Sequence, residues 1–228
     1  SVVIPALNEA ENLLELIPHI RKVLDPLKID YEILVVDERA DAKTRQVLAQ
    51  NQVGLICPNT NGYGKALWTG LRTARGDYIA SMDADNSHPP ALLAEFWQQR
   101  QSADVLIASR YVQGGGAEMS PGRFWLSKIL NAFFGWGFGV KVRDLSSGYR
   151  LYSQKVIHSF DIEANYFEAL QEILIKACFL KYEIKEIPFI YRPRIHGVSH
   201  ARVLKFGMAY LKLFACLGKL RLKRKLKA

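Results

Sequence analysis

The sequence predicts an α/β fold: a mostly parallel sheet flanked by helices, with an amphipathic helical extension at its C-terminal end. Three observations predict it. Apolar runs such as Ile33-Leu34-Val35-Val36 and Val105-Leu106-Ile107-Ala108 do not alternate with polar residues, so they suit strands covered on both faces. Between them lie segments whose apolar residues recur at helical spacing. Two of the runs end in acid, at Asp37-Glu38 and at Asp83-Ala84-Asp85, as in open α/β sheets that hold ligands at the carboxyl edge.

Taken in order, Val2 to Ile4 reads as a buried strand running into Pro5-Ala6-Leu7-Asn8-Glu9. Asn8 is the expected cap of the next helix and Glu11 the reciprocal half of a capping box. Leu13, Leu14, Ile17, Ile20, Val23 and Leu24 form the apolar stripe of that helix. Tyr31 to Val36 is the second strand, Thr44 to Gln50 a helix and Gly54 to Cys57 a short strand. The glycines of Asn61-Gly62-Tyr63-Gly64-Lys65 suit close backbone approach to a ligand. Leu67, Leu71 and Ala74 continue as a helix. Tyr78 to Met82 is a buried strand that delivers Asp83 and Asp85, and Pro89 and Pro90 fit the first turn of a helix.

Ala91 to Arg100 is predicted helical, Asp104 to Ser109 a strand that carries Arg110 and Tyr111 to the carboxyl edge, and Gln113 to Gly122 a glycine-rich loop. Phe124 to Val140 is dense in aromatics, which leaves two readings open: an exposed lipid or partner surface, or a second small core. Tyr166 to Leu180 reads as an amphipathic helix, Tyr182 to Ile187 as a strand, and Pro188 to Ser199 as a loop with Arg192, Arg194 and His196. In Arg202 to Lys227, lysines interrupt every apolar run well short of the ~18 residues that a spanning helix needs. Its apolar side, Leu204, Met208, Leu211, Ala215 and Leu222, suits either a membrane surface or a capping role. One domain is drawn over 1–193, with an extension over 194–228.

The chain has 228 residues, 49% of them hydrophobic, and a formal charge of +9. That charge favours an anionic partner. Because much of it lies between Lys219 and Lys227 and not in a folded basic motif, an anionic membrane surface is expected and nucleic acid is not. Cys57, Cys178 and Cys216 are read as reduced core residues of a cytoplasmic protein. Neither a P-loop nor a Gly-x-Gly-x-x-Gly after a strand is present. Asp83 and Asp85 project to one side of an extended backbone, and such a carboxylate pair seats a hard divalent cation that draws its remaining oxygens from water and phosphate. The alternative is a solvated turn and helix cap.

The order and spacing of these motifs resemble family 2 glycosyltransferases of the GT-A fold, and among them the polyprenol-phosphate mannosyltransferases. Pro5-Ala6-Leu7-Asn8-Glu9, Val35-Val36-Asp37-Glu38, Gly62-Tyr63-Gly64-Lys65-Ala66, Asp83-Ala84-Asp85 with His88-Pro89, Ser109-Arg110-Tyr111, Asp144-Leu145-Ser146-Ser147-Gly148-Tyr149-Arg150 and Arg194-Ile195-His196-Gly197-Val198-Ser199 carry the resemblance. It implies an inverting transfer from GDP-mannose or a UDP-sugar to a polyprenyl or dolichyl phosphate, with Mg²⁺ or Mn²⁺, by a protein peripheral to the cytoplasmic face of a membrane. A carbohydrate acceptor, or a non-enzymatic nucleotide-binding or membrane-scaffold role, is the alternative. The resemblance places Pro5, Leu7, Glu9, Val36, Glu38, Asp83, Ala84, Asp85, Arg110, Arg194 and His200 at the donor. It places Asp83, Asp85 and, more weakly, Ser87 at the metal, and Asp85, Arg110 and Arg194 at the reacting diphosphate. Asp144 is either a base or acceptor-site residue or a structural one. Leu7, Glu38 and His200 stand where the family often has tyrosine, aspartate and lysine, and the first two leave the base open between guanine and uracil.

Overall fold

The computed structural model describes residues 1–59, 61–193 and the helix that begins at Val203, with its side chains described over 207–222. In chain order the elements are β1 (Val2–Pro5), α1 (Ala10–Leu24), β2 (Ile33–Val36), α2 (Ala42–Gln50), β3 (Gly54–Ile56), α3 (Tyr63–Thr73) and β4 (Tyr78–Ser81). Then come α4 (Leu92–Gln99), β5 (Val105–Ser109), β6 (Gly116–Ala117), α5 (Pro121–Phe138), β7 (Arg150–Ser153) and α6 (Gln154–His158). The last are α7 (Ala169–Phe179), β8 (Ile184–Pro188), β9 (Ile190–Tyr191) and α8 (Val203–Lys225).

The main sheet has seven strands in the order β3-β2-β1-β4-β7-β5-β8. All neighbours run parallel except β7, which is antiparallel to both β4 and β5. Strand periodicity divides the core. Val3, Val36, Ile79, Val105 and Ile107 face α3, α5, α7 and α8, while Val2, Ile4, Val35, Ala80 and Leu106 face α1, α2 and α4. Covered on both faces, β1, β2, β4 and β5 read as largely apolar runs, as expected.

Three expectations are corrected, and one strand was not foreseen. Asn8 does not cap α1: it takes a left-handed φ of 58° and Glu9 occupies the cap position without a side-chain capping bond, its carboxylate accepting the side-chain amide of Asn12 instead, while Glu11 pairs with Lys43. That left-handed turn swings Glu9 over the carboxyl edge instead. β7 escapes the apolar pattern, because it opens on a charged residue. Arg150 is nevertheless fully buried, its guanidinium donating to the carbonyls of Leu170 at 2.9 Å and Leu145 at 2.7 Å. α7 is not amphipathic: even Gln171 and Glu172 are buried, since Glu172 accepts the backbone N–H groups of Glu163 and Ala164. The cysteines are free but not core residues, with Cys57 and Cys216 exposed and Cys178 half-buried.

Both readings of the aromatic segment describe part of it. Phe134 and Phe138 of α5 are buried against Phe214 of α8, while Trp125, Leu126, Ile129, Phe133 and Trp136 are exposed, Trp136 at 85%. α8 likewise buries Leu213 and Leu217 and leaves Met208, Leu211, Ala215 and Leu222 exposed. Among the described residues no helix is long and apolar enough to cross a membrane.

Candidate functional site

β1, β2 and β4 lie side by side, and the strand order reverses between β1 and β4, so the loops leaving their carboxyl ends diverge and open a crevice. A cavity of about 670 Å³ fills it. Of the residues expected at the donor, Pro5, Leu7, Glu9, Glu38, Asp83, Ala84 and Asp85 line this cavity. Val36 does not: it is the last residue of β2, wholly buried, with its side chain against Gly70 of α3. Ser87, Arg110 and Asp144 are not part of the lining. Arg194 and His200 lie outside the described residues.

Asp83 is held from three sides. Tyr63 Oη donates to its Oδ1 at 3.0 Å, and the approach is possible because Gly148 lies beneath, where a Cβ would come within 2.7 Å of that hydroxyl. The backbone N–H of Asp83 donates to His88 Nδ1 at 3.0 Å, which leaves the ring proton on Nε2, 3.8 Å from Asp83 Oδ2. Burial lowers the pKa of His88 against the opposing pull of Asp83 and Asp85, so the ring is neutral at pH 7. It stacks on Tyr149 at 4.9 Å. Asp85 is 7% exposed and its Oδ1 accepts the Ser87 N–H at 3.1 Å.

This donor set fits a hard cation. Two carboxylates from one strand end share the cavity wall, and the buried Ser87 hydroxyl beside them has no partner among the described residues. Among the described residues no group of three or more His, Cys, Asp or Glu is arranged to hold a metal ion by itself. Such a pair suits Mg²⁺ or Mn²⁺, which take the rest of their oxygens from substrate phosphates and water.

At the other end of the cavity Glu38 accepts the Gly62 N–H at 3.2 Å, and Arg39 Nε stands 3.6 Å from its second oxygen. Asp37, just below, is buried, and burial raises its pKa. The N–H groups of Gly62 and Gly64 are both taken by the protein itself. The Gly64 N–H donates to the carbonyl of Asn165 at 2.9 Å, and a Cβ on Gly64 would meet Tyr166 O at 2.5 Å, so the close approach that the glycines permit is to the protein's own chain.

Arg110 and Asp144 form a second, drier cluster. Arg110 Nε and Nη2 each reach a separate Asp144 oxygen at 2.7 Å, and the Arg110 backbone N–H adds a third bond at 3.0 Å. Burial alone would raise the pKa of Asp144, but the Arg110 bonds outweigh it and hold the carboxyl below the usual range; Arg110 is correspondingly raised. Glu186 of β8 fixes the Asp144 backbone by accepting its N–H at 3.0 Å.

Sequence reasoning missed several lining residues. Tyr166 and Phe167 arrive from the loop before α7, with Phe167 stacked on Tyr63 at 4.4 Å. Tyr191 arrives because β9 pairs with β6, and Arg123 because α5 starts at Pro121. Only Arg123 had a local signal, a basic residue beside Pro121-Gly122 at a helix start.

Residues 1–160 match the family model described as Glycosyl transferase family 2. A low-salt glycan biosynthesis hexosyltransferase, Agl6, of Haloferax volcanii is 32% identical over 206 residues, covering 85% of this chain and 48% of that protein. A dolichol-phosphate mannosyltransferase of Pyrococcus furiosus is 32% identical over 218 residues, covering 87% of this chain and 58% of that protein. The chain thus spans about half the length of these curated relatives. Among solved structures, glucosyl-3-phosphoglycerate synthase of Mycobacterium tuberculosis, in complex with Mn²⁺, UDP and phosphoglyceric acid, superposes with a TM-score of 0.72 at 19% identity, over 95% of this chain and 76% of that one. At that identity the likeness shows the fold alone, a GT-A-like sheet flanked by helices.

Proposed function

Because the chain belongs to glycosyl transferase family 2, we propose that it moves a hexose, mannose first among the candidates, from a nucleotide-sugar donor to a polyprenyl or dolichyl phosphate at a membrane surface. The name of the Pyrococcus furiosus relative supports the acceptor class. The observation that carries the reading is the placement of α5. Its first turn delivers Arg123 to the cavity wall, while Trp125, Leu126 and Ile129 face outward, so the mouth of the cavity borders an apolar surface. Lys128, over the ring of Trp125 at 5.2 Å, puts a cation on the same border. An apolar face rimmed by cations suits the anionic cytoplasmic leaflet, where a long-chain lipid phosphate would present its headgroup.

The chemistry follows from the residues present. Pro5, Leu7, Glu9 and Glu38 would seat the base and ribose of GDP-mannose or a UDP-sugar, with the diphosphate toward Asp83 and Asp85. Asp83 and Asp85, with the Ser87 hydroxyl nearby, would hold Mg²⁺ or Mn²⁺, which would supply positive charge to the leaving diphosphate. A phosphate acceptor is already anionic and needs no base to take a proton. That agrees with Asp144, whose two oxygens are engaged by Arg110 and whose lowered pKa makes it a poor base. The acceptor oxygen attacks the anomeric carbon as the bond to the nucleoside diphosphate breaks, with inversion, and Arg110 and Arg194 would balance the charge that develops.

The test offers radiolabelled GDP-mannose and UDP-sugars, Mn²⁺, and polyprenyl phosphate in detergent or vesicles. Label that passes into organic solvent supports the reading. Label transferred only to water-soluble sugars would move the chain to a carbohydrate acceptor, and no transfer or thermal stabilisation with any donor would favour a non-enzymatic scaffold.

A further inference from the structure

Asn131 stands on the inward face of α5, 2% exposed, one turn beyond Ser127. Its Nδ2 donates to Ser146 Oγ at 3.1 Å. The same oxygen accepts Arg110 Nη2 at 2.8 Å, and its own proton goes to Asp144 Oδ1 at 3.2 Å. A hydroxyl has one proton and two lone pairs. Ser146 is therefore saturated, with one lone pair for Arg110, one for Asn131 and its proton for Asp144; Ser127 Oγ, 3.1 Å away, competes for the same sites.

Asn131 is poorly explained by stability. Its Oδ1 is buried with no partner among the described residues. A buried acceptor without a bond is costly, and an apolar side chain there would avoid the cost. What Asn131 does accomplish is to orient the hydroxyl that holds the outer nitrogen of Arg110. We infer that Asn131 is a positioning residue for sugar transfer, which acts through Ser146 to hold Arg110 in the plane set by Asp144. The inference rests on the proposed transferase reading for its kinetic consequence. It also ties α5, whose outer face is apolar, to the arginine beside the site.

The test uses the full chain and the donor that gives transfer. Asn131→Ala should lower kcat roughly tenfold, the loss expected for one misaligned bond to a charged group, with donor KM within twofold. In an Arg110→Lys background the same change should add less than twofold, because a side chain that works through Arg110 has nothing left to position. Equal losses in both backgrounds, or a raised KM with kcat kept, would overturn the inference. Ser146→Ala should reproduce the loss and Ser146→Thr, which keeps the hydroxyl, should keep the rate; if Asn131→Ala does not fold, Asn131→Leu, which fills the space without a donor, should fold and show the same tenfold loss, and a native kcat in it would overturn the inference. A readout independent of turnover is hydrogen exchange at Arg110 Nε measured by NMR. It should speed up at least tenfold in Asn131→Ala at unchanged Tm, and unchanged exchange would overturn the inference even if the wild-type protein transfers no sugar.

Discussion

The carbonyl of Asn165 accepts the backbone N–H of Gly64 at 2.9 Å, so the first turn of α3 is closed by the protein's own chain. This contact holds the loop that carries Tyr166 and Phe167 against the cavity. Gly64→Ala would press a methyl group into Tyr166 O and the Ala169 side chain, at 2.5 and 2.7 Å. Such overpacking costs about 1–3 kcal/mol. We expect a lower Tm and weakened binding of every donor together in a thermal-shift panel. A variant with native Tm and native donor response would show that the loop is free to retreat.

Asp85→Asn removes a charge from the cavity wall yet keeps an oxygen able to accept the Ser87 N–H, now bonded at 3.1 Å to the carboxylate. The asparagine is therefore a cleaner probe than alanine at a site only 7% exposed. Transfer should be lost and the extra stabilisation that Mn²⁺ gives with nucleoside diphosphate should vanish, while Tm without ligands stays native. Near-normal turnover would remove Asp85 from the metal set.

The Arg110–Asp144 pair predicts the acid limb of stability. The folded pKa of Asp144 is depressed, so its contribution is present above the unfolded value of about 3.9 and is lost as pH falls through the lower folded value. Asp144→Asn leaves a buried guanidinium without its counter-charge, a loss on the order of 3–5 kcal/mol at neutral pH. As pH falls below about 4 the wild-type and variant melting curves should begin to converge, and they should meet below the folded value. Parallel curves down to pH 3 would mean that other carboxylates set the acid limb.

The exposed faces of α5 and α8 predict association with anionic vesicles. Trp136→Glu, at a position 85% exposed, should weaken flotation with phosphatidylserine vesicles at least tenfold and leave Tm unchanged. Rising salt should weaken binding of the wild type, since attraction between basic side chains and lipid is screened over about 8 Å at physiological ionic strength. Truncating α8 is a poorer probe, because Arg221 donates to Gly137 O at 2.7 Å and Leu217 is buried. Binding unaffected by Trp136→Glu would place the contact elsewhere.

Much of this protein was legible along the chain because the signals are local. Unbroken apolar runs such as Val105 to Ala108 give buried strands and the acids that end them give the carboxyl edge, while the family resemblance named Pro5, Leu7, Glu9, Glu38, Asp83, Ala84 and Asp85, which line the cavity, and passed over Arg39. What the tertiary structure alone decided is the identity of partners. Nothing along the chain marks Arg150 for burial, yet it is buried because carbonyls 5 and 20 residues away turn toward it. The glycines at 62 and 64 announce a close approach, but only the fold says that Asn165 makes it. Asp144 reads equally well as base or brace until Arg110, 34 residues earlier, is seen on both its oxygens. Hydrophobic periodicity reports which side chains avoid water. It carries no record of which distant group meets them, and that pairing sets the charge and pKa on which the chemistry depends.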